Sequence, residues 1–145
     1  MAHGATVTLK NDTWDGKSAA MAVQGGFASG EAFASVFKPP SYPFKVYKIQ
    51  AYIAPGPGSK ASTNKYTLQI FNDKVVTNKP GTSLYKQDVN ITSSVTAISE
   101  TDVSSSNIAV PSGYIRVAIT PHHSKTPSIV RDNGPRKPKK TLTYG

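Results

Sequence analysis

Cysteine is absent from the 145 residues, which removes disulfides, thiolate metal sites and cysteine nucleophiles. Acidic side chains are scarce: eight Asp plus Glu stand against seventeen Lys plus Arg, a formal charge of +9 with histidine neutral. Charged residues amount to only 17%, and apolar residues never recur at i, i+3, i+4 and i+7 over three turns. A helical bundle is therefore not expected. No apolar run approaches the ~20 residues that a helix needs to cross a bilayer. The start, Met1 to Ala5, lacks the basic and apolar regions of an export signal. Either the protein stays where it is made, or such a signal has been removed from this form.

The reactive inventory is equally thin. Histidine is limited to His3, His122 and His123. Neighbours on a strand point to opposite faces, so His122 and His123 are not expected to share one ion. Glu31, Glu100 and Asp102 have no motif around them to set two carboxyls across a glycosidase cleft. A Gly-x-Ser-x-Gly elbow is missing as well. The chain reads as non-catalytic.

What is present is alternation. Tyr47, Ile49, Ala51 and Ile53 fall on one face of a long strand over 44–53, with Lys45 near its start and Lys48 and Gln50 opposite. Tyr66, Leu68 and Ile70 share a face in a second strand, and Ile115, Val117 and Ile119 in a third, with Arg116 and Thr120 opposite. Weaker strands are expected over 6–10, 19–24, 32–38, 83–89, 107–110, 128–131 and 141–144. The Ser/Thr-rich stretch over 92–107 reads as a long loop with one irregular edge strand. Prolines and glycines lie between these runs, as in Pro39-Pro40, Pro55-Gly56-Pro57-Gly58 and Lys79-Pro80-Gly81, where they supply turns and remove no ladder hydrogen bond. The fold expected is all-β, an antiparallel β-sandwich of jelly-roll type. Its core spans 1–124, and a basic C-terminal segment over 125–145 contributes an edge strand. The glycine cluster Gly25 to Gly30 has neither a following helix nor a Lys-Ser/Thr pair, so it reads as a turn and not a phosphate cradle.

Loops and the tail supply the candidate binding residues. Asn11-Asp12-Thr13-Trp14-Asp15-Gly16 groups oxygen ligands beside a glycine. Asp12 and Asp15, completed by Asp132 if the termini adjoin, are the candidate Ca2+ ligands, against ordinary turn chemistry. No other cofactor is expected. Trp14 is either a stacking platform or a core residue. From Lys125 to Lys140 six basic residues face one acid, Asp132. Arg131, Arg136, Lys137, Lys139 and Lys140 are thus the candidate contacts for a polyanion or an acidic partner. The run is too short and proline-interrupted for a DNA-reading helix, so specific nucleic-acid recognition is not expected.

Three stretches in order, Asn11 to Trp14, Gly26-Phe27-Ala28-Ser29-Gly30-Glu31 and Pro39-Pro40-Ser41-Tyr42-Pro43, followed by Pro111-Ser112-Gly113-Tyr114, resemble small β-sandwich domains of uncharacterised secreted or lipid-anchored bacterial proteins. The resemblance implies a sandwich outside the cytoplasm and carries no activity with it. Two functions follow as expectations. One is an extracellular or cell-surface module that binds a polysaccharide or other surface ligand through Trp14, Tyr42, Tyr47 and Tyr52. The other is a structural subunit of a filament, virion or other shell. It would assemble through its tail, with Leu142 and Tyr144 on a strand added to a neighbour's edge.

Overall fold

The computed structural model describes residues 7–9, 21–23, 27–56, 58–132 and 141–144. The alternating segments become strands: β1 (Met21–Val23), β2 (Ala32–Phe37), β3 (Phe44–Val46), β4 (Lys48–Ala51), β5 (Ile53–Ala54), β6 (Thr63–Asp73), β7 (Thr82–Thr92), β8 (Ser99–Asp102), β9 (Ile108–Val110), β10 (Tyr114–Pro121), β11 (Ser128–Asp132) and β12 (Thr141–Tyr144). Among the described residues the one helical element is a 3-10 turn over Ser104–Ser106. Every pairing is antiparallel. A five-stranded sheet runs β12-β2-β10-β6-β7, a three-stranded one β1-β11-β5, and β3–β9 and β4–β8 form two pairs. The chain is thus all-β with antiparallel sheets. Val7 to Leu9, expected within a strand, lie outside any.

The core lies on one face of the five-stranded sheet. Phe33, Tyr66, Leu68, Ile70, Ile115 and Ile119 project from it and meet Phe27, Ile49, Ile53, Val103, Ile108 and Val110 from the shorter strands and their loops. Each such side chain contributes about 1.5–3 kcal/mol when fully withdrawn from water. Phe27, Phe33, Tyr66 and His123 stack edge-to-face at one end, with ring centroids 5.0–6.0 Å apart. Burial there pushes the Tyr66 phenol up to about 12. The glycine cluster's described part is a turn: Gly30 has φ +83° and the Glu31 N–H donates to the Ala28 carbonyl.

One sequence expectation needs correction, and one residue is placed as expected in an unexpected environment. The strand over 44–53 is three strands with different partners. Phe44 and Val46 pack on the core, Tyr47 and Lys48 are both exposed, and Ile49 and Ile53 are buried again. The inward phase therefore changes at Tyr47, where the pairing passes from β9 to β8, and a one-residue irregularity reverses every side chain beyond it. Tyr47 faces out, apart from Ile49.

Arg116, expected on the face opposite Ile115, Val117 and Ile119, does lie there but is wholly buried. Its Nε and Nη2 both lie 2.7 Å from Asp73 Oδ2, and Nη2 also donates to the Thr77 and Lys79 carbonyls. The other face of the sheet is covered here because the loop over 74–81 folds back across it. Ala34, Phe71 and Ala118 form a second buried cluster on that face.

Beyond residue 124 the described chain pairs with the rest of the fold. Lys125 bridges to Phe27, β11 lies between β1 and β5, and β12 lines the edge of β2.

Candidate functional site

Outward-facing residues of β4 and β8 form the best-defined surface for recognition. Lys48 pairs with Asp102 and Gln50 with Glu100 across the ladder, and directly opposed residues share a face. Lys48 Nζ lies 2.8 Å from Glu100 Oε1, and Gln50 Nε2 donates to Glu100 Oε2 at 2.9 Å. Asp102 accepts from the backbone N–H and hydroxyl of Ser104 at 2.9 and 2.6 Å. The Lys48 contact, helped by Gln50, holds the Glu100 carboxyl below its ordinary range. The same contact raises Lys48. The Ser104 hydrogen bonds lower Asp102. Both carboxylates thus remain charged further into acid than free ones, and what the network contributes is present above the ordinary carboxylate pKa and lost as pH falls below it. All these groups are solvated, so the contribution to stability is small.

Tyr47 and Tyr52 flank this polar strip. The Tyr47 backbone carbonyl accepts from the Val103 N–H at 2.8 Å, which pins the strand break. Tyr52, half-buried, donates its hydroxyl to the Val95 carbonyl. Val95 and Ile98, in the loop that leads into β8, are both exposed. Ring, amide, ammonium and carboxylate therefore alternate along one strip. Tyr42 is exposed but belongs elsewhere: its hydroxyl donates to the Gly113 carbonyl at 2.7 Å, in the loops that end the sheet.

The remaining expected residues divide. Trp14, Asp12, Asp15, Arg136, Lys137, Lys139 and Lys140 lie outside the described residues. Arg131 and Asp132 pair with Ala22 and Met21 on β1, and Leu142 and Tyr144 with Ala34 and Ala32 on β2. Among the described residues no three His, Asp or Glu side chains converge in a way that would hold an ion.

Sequence reading missed one cluster. Thr67 Oγ1 lies 2.7 Å from both Asp88 Oδ1 and His122 Nε2. It superficially resembles a nucleophile with its base, but the protons run the wrong way. An ionised carboxylate only accepts, so the single hydroxyl proton goes to Asp88, and His122 Nε2–H donates to Thr67. An activated hydroxyl needs a base to take its proton. The Thr67 hydrogen bond holds the Asp88 carboxyl below its ordinary range, aided by His122, Lys65 and Lys86. The cluster ties β6, β7 and the end of β10 together. His123 turns the other way, with Nε2 3.0 Å from the Pro127 carbonyl and its ring on Phe27 and Tyr66. Period-two alternation puts Thr67 on the polar face, but nothing local announces Asp88 or His122 as its partners.

Compared with known protein families, with curated proteins and with solved structures, the chain shows no match.

Proposed function

We propose that this chain is a non-catalytic β-sandwich module of jelly-roll type, working outside the cytoplasm, that binds an extended polysaccharide along the strip between Tyr47 and Tyr52. The sandwich reading is supported by the shared core, to which the five-stranded sheet and strands β3, β4, β5 and β9 all contribute. The binding reading rests on one observation: the phase change at Tyr47 leaves it exposed directly before Lys48, whose contact with Glu100 is shared by Gln50. Sugar rings offer an apolar face to stack on an aromatic ring and hydroxyls for charged and amide groups. Five residues of strand span roughly 16 Å, enough for several linked sugars.

A panel of insoluble glycans tests this. Wild-type protein is expected to be retained on at least one, and Tyr47→Ala to weaken that retention about tenfold, equivalent to ~1.4 kcal/mol. Gln50→Ala should have a smaller effect, with an unchanged melting temperature in both variants. Retention on no glycan would remove the reading.

A second reading, a structural subunit assembling through its C-terminal segment, is favoured by the place of β12. Its four residues pair in register with the edge of β2, and the same strand from a second copy would meet the same partners. Deleting residues 134–145 should then reduce a large particle to a folded monomer in light scattering. A size unchanged by the deletion would count against assembly.

A further inference from the structure

Three loops meet at the end of the five-stranded sheet where β2 and β6 finish and β10 begins. The loop over 38–43 is joined to that over 111–113 by the Tyr42 hydroxyl on the Gly113 carbonyl. The latter is joined to β6 by Asn72 Nδ2, 2.8 Å from the Ser112 carbonyl. The third loop, over 74–81, is fastened from beneath. Arg116 Nη2 donates to the Thr77 and Lys79 carbonyls at 2.6 and 3.0 Å, and the Gly81 N–H donates to Asp73 Oδ1 at 2.7 Å. Thr77 Oγ1 accepts from the Lys79 N–H and donates to the Lys79 carbonyl. A loop held by so many bonds ought to hide its apolar side chains. Instead Val75 is 64% exposed and Val76 44%.

The surroundings of these valines point to one kind of partner. Lys74 and Lys79 flank them in the same loop, and Lys38 stands in the neighbouring one, all exposed. The three loops contain no Asp or Glu. The carboxylate at this end, Asp73, is buried and paired with Arg116. Tyr42, exposed beside Gly113, adds a ring with a polar tip. An exposed aliphatic pair, lysines in the same and the neighbouring loop and an amphipathic aromatic match the layers of a bilayer surface: acyl chain, anionic headgroup and interface. A protein-binding hot spot more commonly centres on a buried aromatic or arginine anchor.

We propose that this loop end docks on anionic phospholipid bilayers, with Val75 and Val76 entering the acyl boundary and Lys38, Lys74 and Lys79 at the headgroups. The docking is independent of the glycan strip, which lies on β4 and β8.

Sedimentation with vesicles tests it. Wild-type protein should bind phosphatidylcholine vesicles containing one-third phosphatidylglycerol at least tenfold more tightly than phosphatidylcholine alone, and binding should weaken with salt. Val75→Asp combined with Val76→Asp should cut the affinity at least tenfold without moving the melting temperature, because both side chains are exposed. Lys74→Gln with Lys79→Gln should do the same for the anionic vesicles only. Because the chain has no cysteine, Val76→Cys accepts a single environment-sensitive dye. Its emission should shift to the blue on anionic vesicles, whereas a dye on Ser59→Cys should not respond. Binding that the aspartates leave unchanged would assign the lipid contact to the basic C-terminal segment and overturn the proposal. So would absence of vesicle binding, or valines that mediate only association between copies in light scattering.

Discussion

Asp73→Ala is expected to lower the melting temperature by about 6–20 °C in a thermal melt followed by circular dichroism. The side chains of Arg116 and Asp73 are 0% and 1% exposed. Removing the carboxylate leaves a guanidinium in the interior with its strongest partner gone. Breaking a buried pair in this way costs about 3–5 kcal/mol, and each kcal/mol is worth roughly 2–4 °C at this chain length. The carboxylate also accepts from the Gly81 N–H, so the same change releases the loop over 74–81, and hydrogen exchange at Gly81 should accelerate with it. Asp73→Ala combined with Arg116→Met should be less damaging than Asp73→Ala alone, because no buried charge then remains at this position. A shift below about 2 °C for Asp73→Ala would mean that water reaches the guanidinium.

Gly113→Ala is the second large effect, about 2–5 kcal/mol of destabilisation, read from a denaturant midpoint. Gly113 has φ +70°, a left-handed conformation that costs a residue with a Cβ about 1–2 kcal/mol. A Cβ built there would overlap the Asp73 carbonyl oxygen. Relief of that overlap requires backbone movement where β6 and β10 begin to pair, and overpacking of this kind costs about 1–3 kcal/mol more. Gly30→Ala is the internal comparison. Its φ is also positive, at +83°, but nothing lies within 4 Å of the added Cβ, so only the conformational part should appear. Equal losses at the two positions would show that the close approach to Asp73 contributes nothing.

The strands themselves were largely legible. Tyr66, Leu68 and Ile70 alternate with Thr67 and Gln69, and all three are buried on the core face. Ile115 and Ile119 follow the same rule. The rule failed where it was asked about the second face. Arg116 looks solvated on any period-two reading, yet its partner lies 43 positions earlier, and no local pattern reports a loop folding over a sheet. It failed again at Tyr47. The alternation around that residue can be read as one unbroken strand, and the break arises from a change of partner between β9 and β8.

The candidate site shows the same division. Tyr47 and Tyr52 stand out by residue type alone, as aromatics in a hydroxyl-rich sheet protein, while the alternation by itself puts Tyr47 on the face of Ile49. Their presentation around Lys48, Gln50 and Glu100 depends on the phase change and on Glu100, which lies 50 positions beyond Gln50. Tyr42, grouped with them by residue type alone, sits instead with Gly113 and the loops that carry Val75 and Val76.

By itself the sequence determined that the chain is all-β, that its strands pair antiparallel and, outside 6–10 and 44–53, roughly where most of them lie. Those properties follow from side-chain period and from proline and glycine, which act within a few residues. Only the tertiary structure decided which outward positions are covered, which face Tyr47 takes and which loops gather at one end of the sheet. Coverage and pairing are set by segments distant in the chain, so the same local alternation is compatible with either outcome.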